Sequence, residues 1–287
     1  MRNGIHFIAG LPRSGSTLLA ALPRQNPRFS AGMTSPAGSL FNAMPRETSQ
    51  RNETAVFIDD ALRERLLRAV FEACYAGIHP THVVFDTNRQ WTAKLPALTR
   101  LFPEARVICC VRDLAWVVDS IESLIQRNAF ELSGIFNFEP GGTVYSRVDG
   151  LGSPTGMVGH AYNALREAVY GAFADRLLLL RYETLTADPA GALAAVYDFL
   201  GEAPFAHDPY RIEPCYDMIE FDARLVRCPS GHARPAPCRQ RRAGADARHR
   251  AAAGTVRPLR AGRVLERSGP AAARGAAGLT PSRPRHA

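Results

Sequence analysis

Lysine is nearly missing from this chain: Lys94 is the only one among 35 basic residues, and the others are arginine. Also missing is any run of 18 apolar residues, the length a helix needs to span a bilayer. The first residues show no charged region followed by an apolar stretch and a small-residue cleavage site. A cytoplasmic, unexported protein with no membrane partner is therefore expected. Six cysteines (Cys74, Cys109, Cys110, Cys215, Cys228, Cys238) include no C-x-x-C pair. Cys109 and Cys110 fall inside an apolar strand pattern, which favours buried thiols over disulfides or metal ligands. His6, His79 and His82 lack the spacing of metal ligands, so no metal is expected.

Aromatic side chains are absent from residues 226–287, and so is any helix or strand period. That segment holds 14 arginines against Asp246 and Glu266, whereas the first 225 residues hold 21 bases against 25 acids. The formal net charge of +8 thus averages two differently composed segments. A chain of Ala, Arg, Gly and Pro buries too little apolar surface to offset the entropy of ordering, so 226–287 is expected to be a disordered tail behind a domain at 1–225. Two origins compete for it. One is a basic arm that binds nucleic acid or another polyanion. The other is out-of-frame translation of a GC-rich gene, and the lack of lysine favours it because basic arms ordinarily mix both cations. Nucleic acid is accordingly not an expected partner.

What is present begins with Gly10-Leu11-Pro12-Arg13-Ser14-Gly15-Ser16-Thr17. The apolar run Ile5, Phe7, Ile8, Ala9 precedes it and Leu18 to Leu22 follows, which predicts strand, glycine turn and helix start. Gly10 and Gly15 occupy the two glycine positions of GxxxxGK[ST], a loop whose inward N–H groups and helix dipole suit a phosphate. The lysine of that motif is replaced by Ser16, and Arg13 is the only long cation in the loop. A nucleoside-triphosphate enzyme uses the lysine on its β- and γ-phosphates. This loop is expected to hold a phosphate without being built for ATP.

Further along, Leu62, Leu66, Val70 and Cys74 predict a helix opening at Asp59, and Val83-Val84-Phe85 a buried strand that ends at Asp86-Thr87-Asn88-Arg89. Residues 34–53 read as loop with room for one helical turn. A helix is predicted from Thr92 to Phe102 with Pro96 in its first turn. Ala105 to Val111 reads as a central parallel strand ending at Arg112-Asp113, and Leu114 to Gln126 as a helix bearing Ser120. Arg112 and Ser120 can hold a second anion, although a salt-bridging arginine and a solvated serine fit the same spacing. Asn128 to Ser153 reads as a lid, Gly156 to Phe173 as a helix, Leu177 to Leu180 as a strand ending at Arg181-Tyr182-Glu183, and Asp188 to Leu200 as a helix stopped by Gly201. The alternation predicts an α/β fold with a P-loop-type doubly wound parallel sheet flanked by helices.

The loop, the strand end Val111-Arg112-Asp113 with Ser120, and Arg181-Tyr182-Glu183 followed by Leu185, Asp188-Pro189 and Asp198-Phe199-Leu200-Gly201 together resemble the sulfotransferase superfamily. Within it the chain is similar to bacterial sulfotransferases related to tyrosylprotein sulfotransferases, from Gly4 to about Leu225. The resemblance implies 3′-phosphoadenosine 5′-phosphosulfate as cosubstrate. It places Gly10, Pro12, Arg13, Ser14, Gly15, Ser16 and Thr17 around the 5′-phosphosulfate, Arg112 and Ser120 on the 3′-phosphate, and Tyr182 near the nucleotide. Arg13 and Arg89 would stabilise charge on the bridging oxygen, Arg89 matching a position where the tyrosylprotein enzymes carry lysine. The family's Glu-Glu-Thr segment appears only as Gly32-Met33-Thr34, without either carboxylate. Asp86 and Glu47 are the candidate bases left, although a cap or a surface carboxylate is the more ordinary reading of each. The family closes its donor site with a C-terminal basic segment, which the composition break at Leu225 removes, so impaired activity is expected. The acceptor, a hydroxyl or amine, has no legible class. A small-molecule kinase and a non-catalytic polyanion-binding protein acting through the tail are the alternatives.

Overall fold

The structure, a computed structural model, describes residues 4–32, 35–127, 135 and 142–212. Expectations for Met33 and Thr34, for residues 128–134 and 136–141 of the lid, for Cys215, and for the tail with Cys228 and Cys238 lie outside those residues.

Five strands form one all-parallel sheet: β1 (Ile5–Gly10), β2 (Phe29–Ala31), β3 (Val83–Thr87), β4 (Val107–Val111) and β5 (Leu177–Arg181), in the spatial order β2-β3-β1-β4-β5. All six residues of β1 are buried, as a central strand covered on both faces requires. Side chains alternate between two cores. Ile5, Phe7, Val84, Val107 and Cys109 face one, where Phe7 meets the edges of Phe71 and Trp91 at centroid distances of 5.7 and 5.3 Å. Ile8, Val83, Phe85, Ile108, Cys110 and Leu178 face the other.

Helices α2 (Ala37–Glu47), α3 (Asp60–Cys74), α4 (Leu95–Leu101) and α7 (Met157–Tyr170) cover the first core. Helices α1 (Ser16–Ala21), α8 (Tyr182–Ala187) and α9 (Pro189–Leu200) cover the second. Helix α5 (Leu114–Arg127) packs with α6 (Val144–Gly152) around Val117, Ile121 and Leu151. Helix starts follow side-chain caps: Asp59 accepts from the Leu62 N–H at 2.6 Å and Asp188 from that of Gly191 at 2.9 Å. Gly201, at φ 75°, ends α9 in the left-handed conformation.

Three expectations change. Residues 37–47 are a full helix where the sequence allowed a loop with one turn, because Ala37, Phe41 and Met44 recur on one face against the first core and outweigh the backbone bond that Pro45 cannot make. Part of the expected lid is α6. The segment from Thr92 opens as a 3-10 turn over Arg89–Lys94 before α4, with Pro96 in the first turn of that helix. No helix among the described residues is long and apolar enough to cross a membrane.

Candidate functional site

Strand β1 leads through α1 to the sheet edge at β2, whereas the chain leaving β4 moves to β5 on the opposite side. The carboxyl ends of β1 and β4 therefore flank a crevice where connections diverge, the place where open α/β sheets bind ligands. The glycine loop leaves β1 there and Arg112 ends β4.

Gly10 has φ 117° and pairs with Cys110; a Cβ on it would stand 2.0 Å from the Cys110 carbonyl oxygen. Only glycine lets the loop depart so close to β4. The buried Ser14 hydroxyl shares its proton between the carbonyls of Leu11 (2.5 Å) and Cys110 (2.9 Å). Ser14 thus braces the loop with its hydroxyl, and only its backbone N–H is left for a ligand. Arg13 holds φ 57°, a left-handed conformation uncommon for a side-chain-bearing residue, of the kind that concentrates where backbone N–H groups are turned toward a ligand. Gly15 follows at φ 92°, immediately before α1; Ser16 is half-buried and Thr17 exposed on its first turn, and Pro12 is buried.

The second anion stretch lies against the first. Arg112 Nη1 donates to the Arg13 carbonyl at 3.3 Å, and Arg13 Nε donates to Ser120 Oγ at 3.2 Å. Tyr182, the first residue of α8, lies under Arg112 with the guanidinium carbon 4.3 Å from the ring centroid, a cation–π contact that fixes the plane of the cation. The same ring closes over Gly15, where a Cβ would come within 2.8 Å of it. Arg112 Nε is buried and unpaired, a donor that a bound anion would satisfy.

Arg89 stands just past β3, exposed as a residue while protein crowds its head group, and that desolvation followed by the charge of Arg13 lowers its pKa. Among the described residues no carboxylate lies within ion-pair distance of Arg13, Arg89 or Arg112. Cations close together without an acid are a charge pattern that suits an anion. Among the same residues no cluster of His, Cys, Asp or Glu is placed to hold a metal.

The candidate base Asp86 is corrected by its surroundings. It is 1% exposed, accepts from Trp91 Nε1 at 2.8 Å on one oxygen and from the hydroxyls of Ser35 and Tyr75 on the other. A carboxylate so enclosed, with both oxygens already bonded within the protein, acts as a structural bolt. Burial and the Asp86 charge push the Tyr75 phenol upward, so it stays a donor to that carboxylate. Glu47 is exposed at the far end of α2, about 14 Å along the axis from Gly38 at the rise of a regular helix. Ser35, Tyr75 and Trp91 were not foreseen as partners of Asp86, and the period of Ala37, Phe41 and Met44 was the signal that α2 returns to the β3 exit.

Solved structures with a similar arrangement include the sulfotransferase from Alicyclobacillus acidocaldarius (15% identity, 75% of this chain and 87% of that one, TM-score 0.48). Two others are the sulfotransferase domain of the Synechococcus PCC 7002 olefin synthase (18%, 89% and 95%, 0.46) and that of the curacin biosynthetic pathway (18%, 75% and 80%, 0.46). None of the three bears on substrate. The model of the sulfotransferase family matches residues 6–206, a span that contains the glycine loop, Arg89, Arg112, Ser120 and Tyr182, and the chain belongs to that family.

Proposed function

We propose that this chain transfers a sulfuryl group from 3′-phosphoadenosine 5′-phosphosulfate to a hydroxyl or amine acceptor of a partner molecule. The acceptor oxygen or nitrogen bonds to sulfur, the bond from sulfur to the bridging phosphate oxygen breaks, and the acceptor loses a proton. Adenosine 3′,5′-bisphosphate leaves. The observation that carries this reading is the meeting of two anion-binding stretches from different strands: Arg112 on the Arg13 carbonyl and Arg13 on Ser120. A donor with phosphates on both its 3′ and 5′ sides needs two such cradles side by side, whereas ATP needs one extended cradle with a lysine. Arg13, the loop N–H groups and Arg89 would hold charge that grows on the bridging oxygen, and Arg112, stacked on Tyr182, would hold the 3′-phosphate.

Calorimetry with adenosine 3′,5′-bisphosphate and with ATP plus magnesium tests the reading. Tighter binding of the bisphosphate supports it, and preference for ATP would falsify it. A labelled-sulfate donor assay over carbohydrate, phenol, amine and peptide acceptors then identifies the acceptor class. Running the assay beside a version with the reading frame restored after Leu225 reports whether the arginine-rich segment limits turnover.

A further inference from the structure

We propose that the start of α2 is the brace that aims Arg89, with Gly38 as its close-contact point and Asp86 as its buried bolt. This rests on the reading of Arg89 as a group that faces the transferring sulfuryl. Four successive contacts join the β2–α2 segment to the β3 exit. Thr87 Oγ1 donates to the Gly32 carbonyl at 2.6 Å, and the Ser35 hydroxyl donates to Asp86. Gly38 lies against the Asn88 side chain, and Asn42 Nδ2 donates to Gln90 Oε1. Residues 38 and 42 share one face of α2 and Ser35 comes just before its N-cap, so the contacts run as a seam.

Arg89 lies inside that seam. Before it, Asn88 Oδ1 caps the Gln90 N–H at 3.0 Å. After it, Trp91 is bonded to Asp86 at 2.8 Å and is 1% exposed in the first core. The backbone of Arg89 is therefore fixed on both sides by residues that α2 or the core holds, and no acid orients its head group. With no carboxylate partner among the described residues, the turn that carries Arg89 is what fixes where its side chain starts. That turn is set in turn by how closely α2 approaches.

Gly38 fixes that approach. A Cβ there would stand 2.1 Å from Asn88 Nδ2 and 3.0 Å from its Cγ. The amide yields either by giving up the Gln90 cap or by carrying the turn with it, so Gly38→Ala disturbs the anchor on the N-terminal side of Arg89 in both cases. A displacement of about 1 Å at a reacting group costs on the order of a hundredfold in rate. Replacing Asn88 by serine keeps a capping oxygen and removes the colliding amide. Gly38→Ala/Asn88→Ser is therefore the compensating pair.

The test uses the full chain and two readouts. The first is the rate at which phenylglyoxal labels Arg89, followed by mass spectrometry without ligand. The reagent reports how accessible the Arg89 guanidine is, and a disturbed turn changes that access. We expect a labelling rate changed by about tenfold in Gly38→Ala and recovery to within about threefold of the unaltered chain in the double variant. The second readout is sulfuryl transfer, with kcat down about a hundredfold in Gly38→Ala, donor KM little changed, and kcat regained in the double variant. Unchanged labelling in a folded Gly38→Ala protein, or failure of the double variant to recover either readout, overturns the brace. Should Gly38→Ala not fold, Asn42→Ala carries the same labelling test with a smaller shift expected, and no shift overturns the proposal. Loss of adenosine 3′,5′-bisphosphate binding by the unaltered chain, with the labelling pattern intact, overturns the sulfuryl-transfer reading and leaves the brace standing.

Discussion

At position 6 an imidazole sits inside the sheet, accepting the Arg106 N–H on Nδ1 at 3.1 Å, and burial followed by the Arg106 charge lowers its pKa from 6.5 to about 4. Above pH 6.5 both folded and unfolded chains hold it neutral, so it adds no pH dependence. Between 6.5 and 4 the unfolded chain takes up the proton and the folded chain does not, so stability falls as pH falls, by about 3 kcal/mol in all, and levels off below pH 4. Urea midpoints from pH 7 to 4 should show that slope, and His6→Asn, which keeps an acceptor, should flatten it. Arg112 makes a second case at this scale. Its flat guanidinium is stacked on Tyr182, and lysine cannot reproduce either the plane or the fork. Arg112→Lys should weaken adenosine 3′,5′-bisphosphate about tenfold, or about 1.4 kcal/mol, in calorimetry at fixed salt. Equal affinity would remove Arg112 from the donor site. Not every reactive-looking side chain is a site residue: burial pushes the Cys110 thiol up to about 12 and the Cys109 thiol higher still, so neither supplies a thiolate.

Between elements, two joints carry the site. Strands β1 and β4 meet at Gly10 and Cys110, where no Cβ fits, so Gly10→Ala must part the two strands whose ends carry the glycine loop and Arg112. A loss of about 3 kcal/mol is expected from the strain and overpacking together, read as a lower urea midpoint with an unchanged slope. Helices α5 and α6 are clipped by Glu122 and Arg147, a two-point pair at 2.7 and 2.6 Å with the carboxylate side chain 1% exposed. Glu122→Ala leaves that arginine without its partner, and about 3 kcal/mol should be lost. Because α5 also carries Ser120, bisphosphate affinity should fall in the same variant; a drop in stability with affinity untouched would separate the clip from the site. Helix α2 shows what local signals miss: Pro36, Gly38 and Pro45 read as punctuation, yet Phe41 has a core to enter and the helix forms around that contact. Burial of Phe41, at about 2 kcal/mol, exceeds the propensity cost of Gly38, and with Ala37 and Met44 packed beside it the face also offsets Pro45.

For the molecule as a whole, a ligand that touches both β1 and β4 ties the two halves of the sheet together and stabilises the fold by mass action, about 2.7 kcal/mol at a hundredfold excess over Kd. Adenosine 3′,5′-bisphosphate should therefore raise Tm more than adenosine 5′-monophosphate or 3′-monophosphate at equal concentration, and chelating divalent ions should not change the result. Equal shifts from all three nucleotides would mean a single anion pocket. The strands, the glycine loop and most helices were legible in the order of residues, because buried parallel strands are continuous apolar runs and glycine turns are local features. What stayed illegible were commitments between distant residues. Ser14 and Asp86 look like ligand and base on paper, but their oxygens are already bonded to Cys110, Ser35, Tyr75 and Trp91. The sequence by itself determined the parallel α/β layering and the serine, Ser16, that stands where an ATP site would have lysine, with Arg13 as the long cation of the loop. Only the tertiary structure decided that Arg13 reaches Ser120 across 107 positions and that Arg112 reaches the Arg13 carbonyl across 99. Those contacts depend on β1 and β4 being neighbours in the sheet, a consequence of where the crossover helices bury their faces and not of any local pattern.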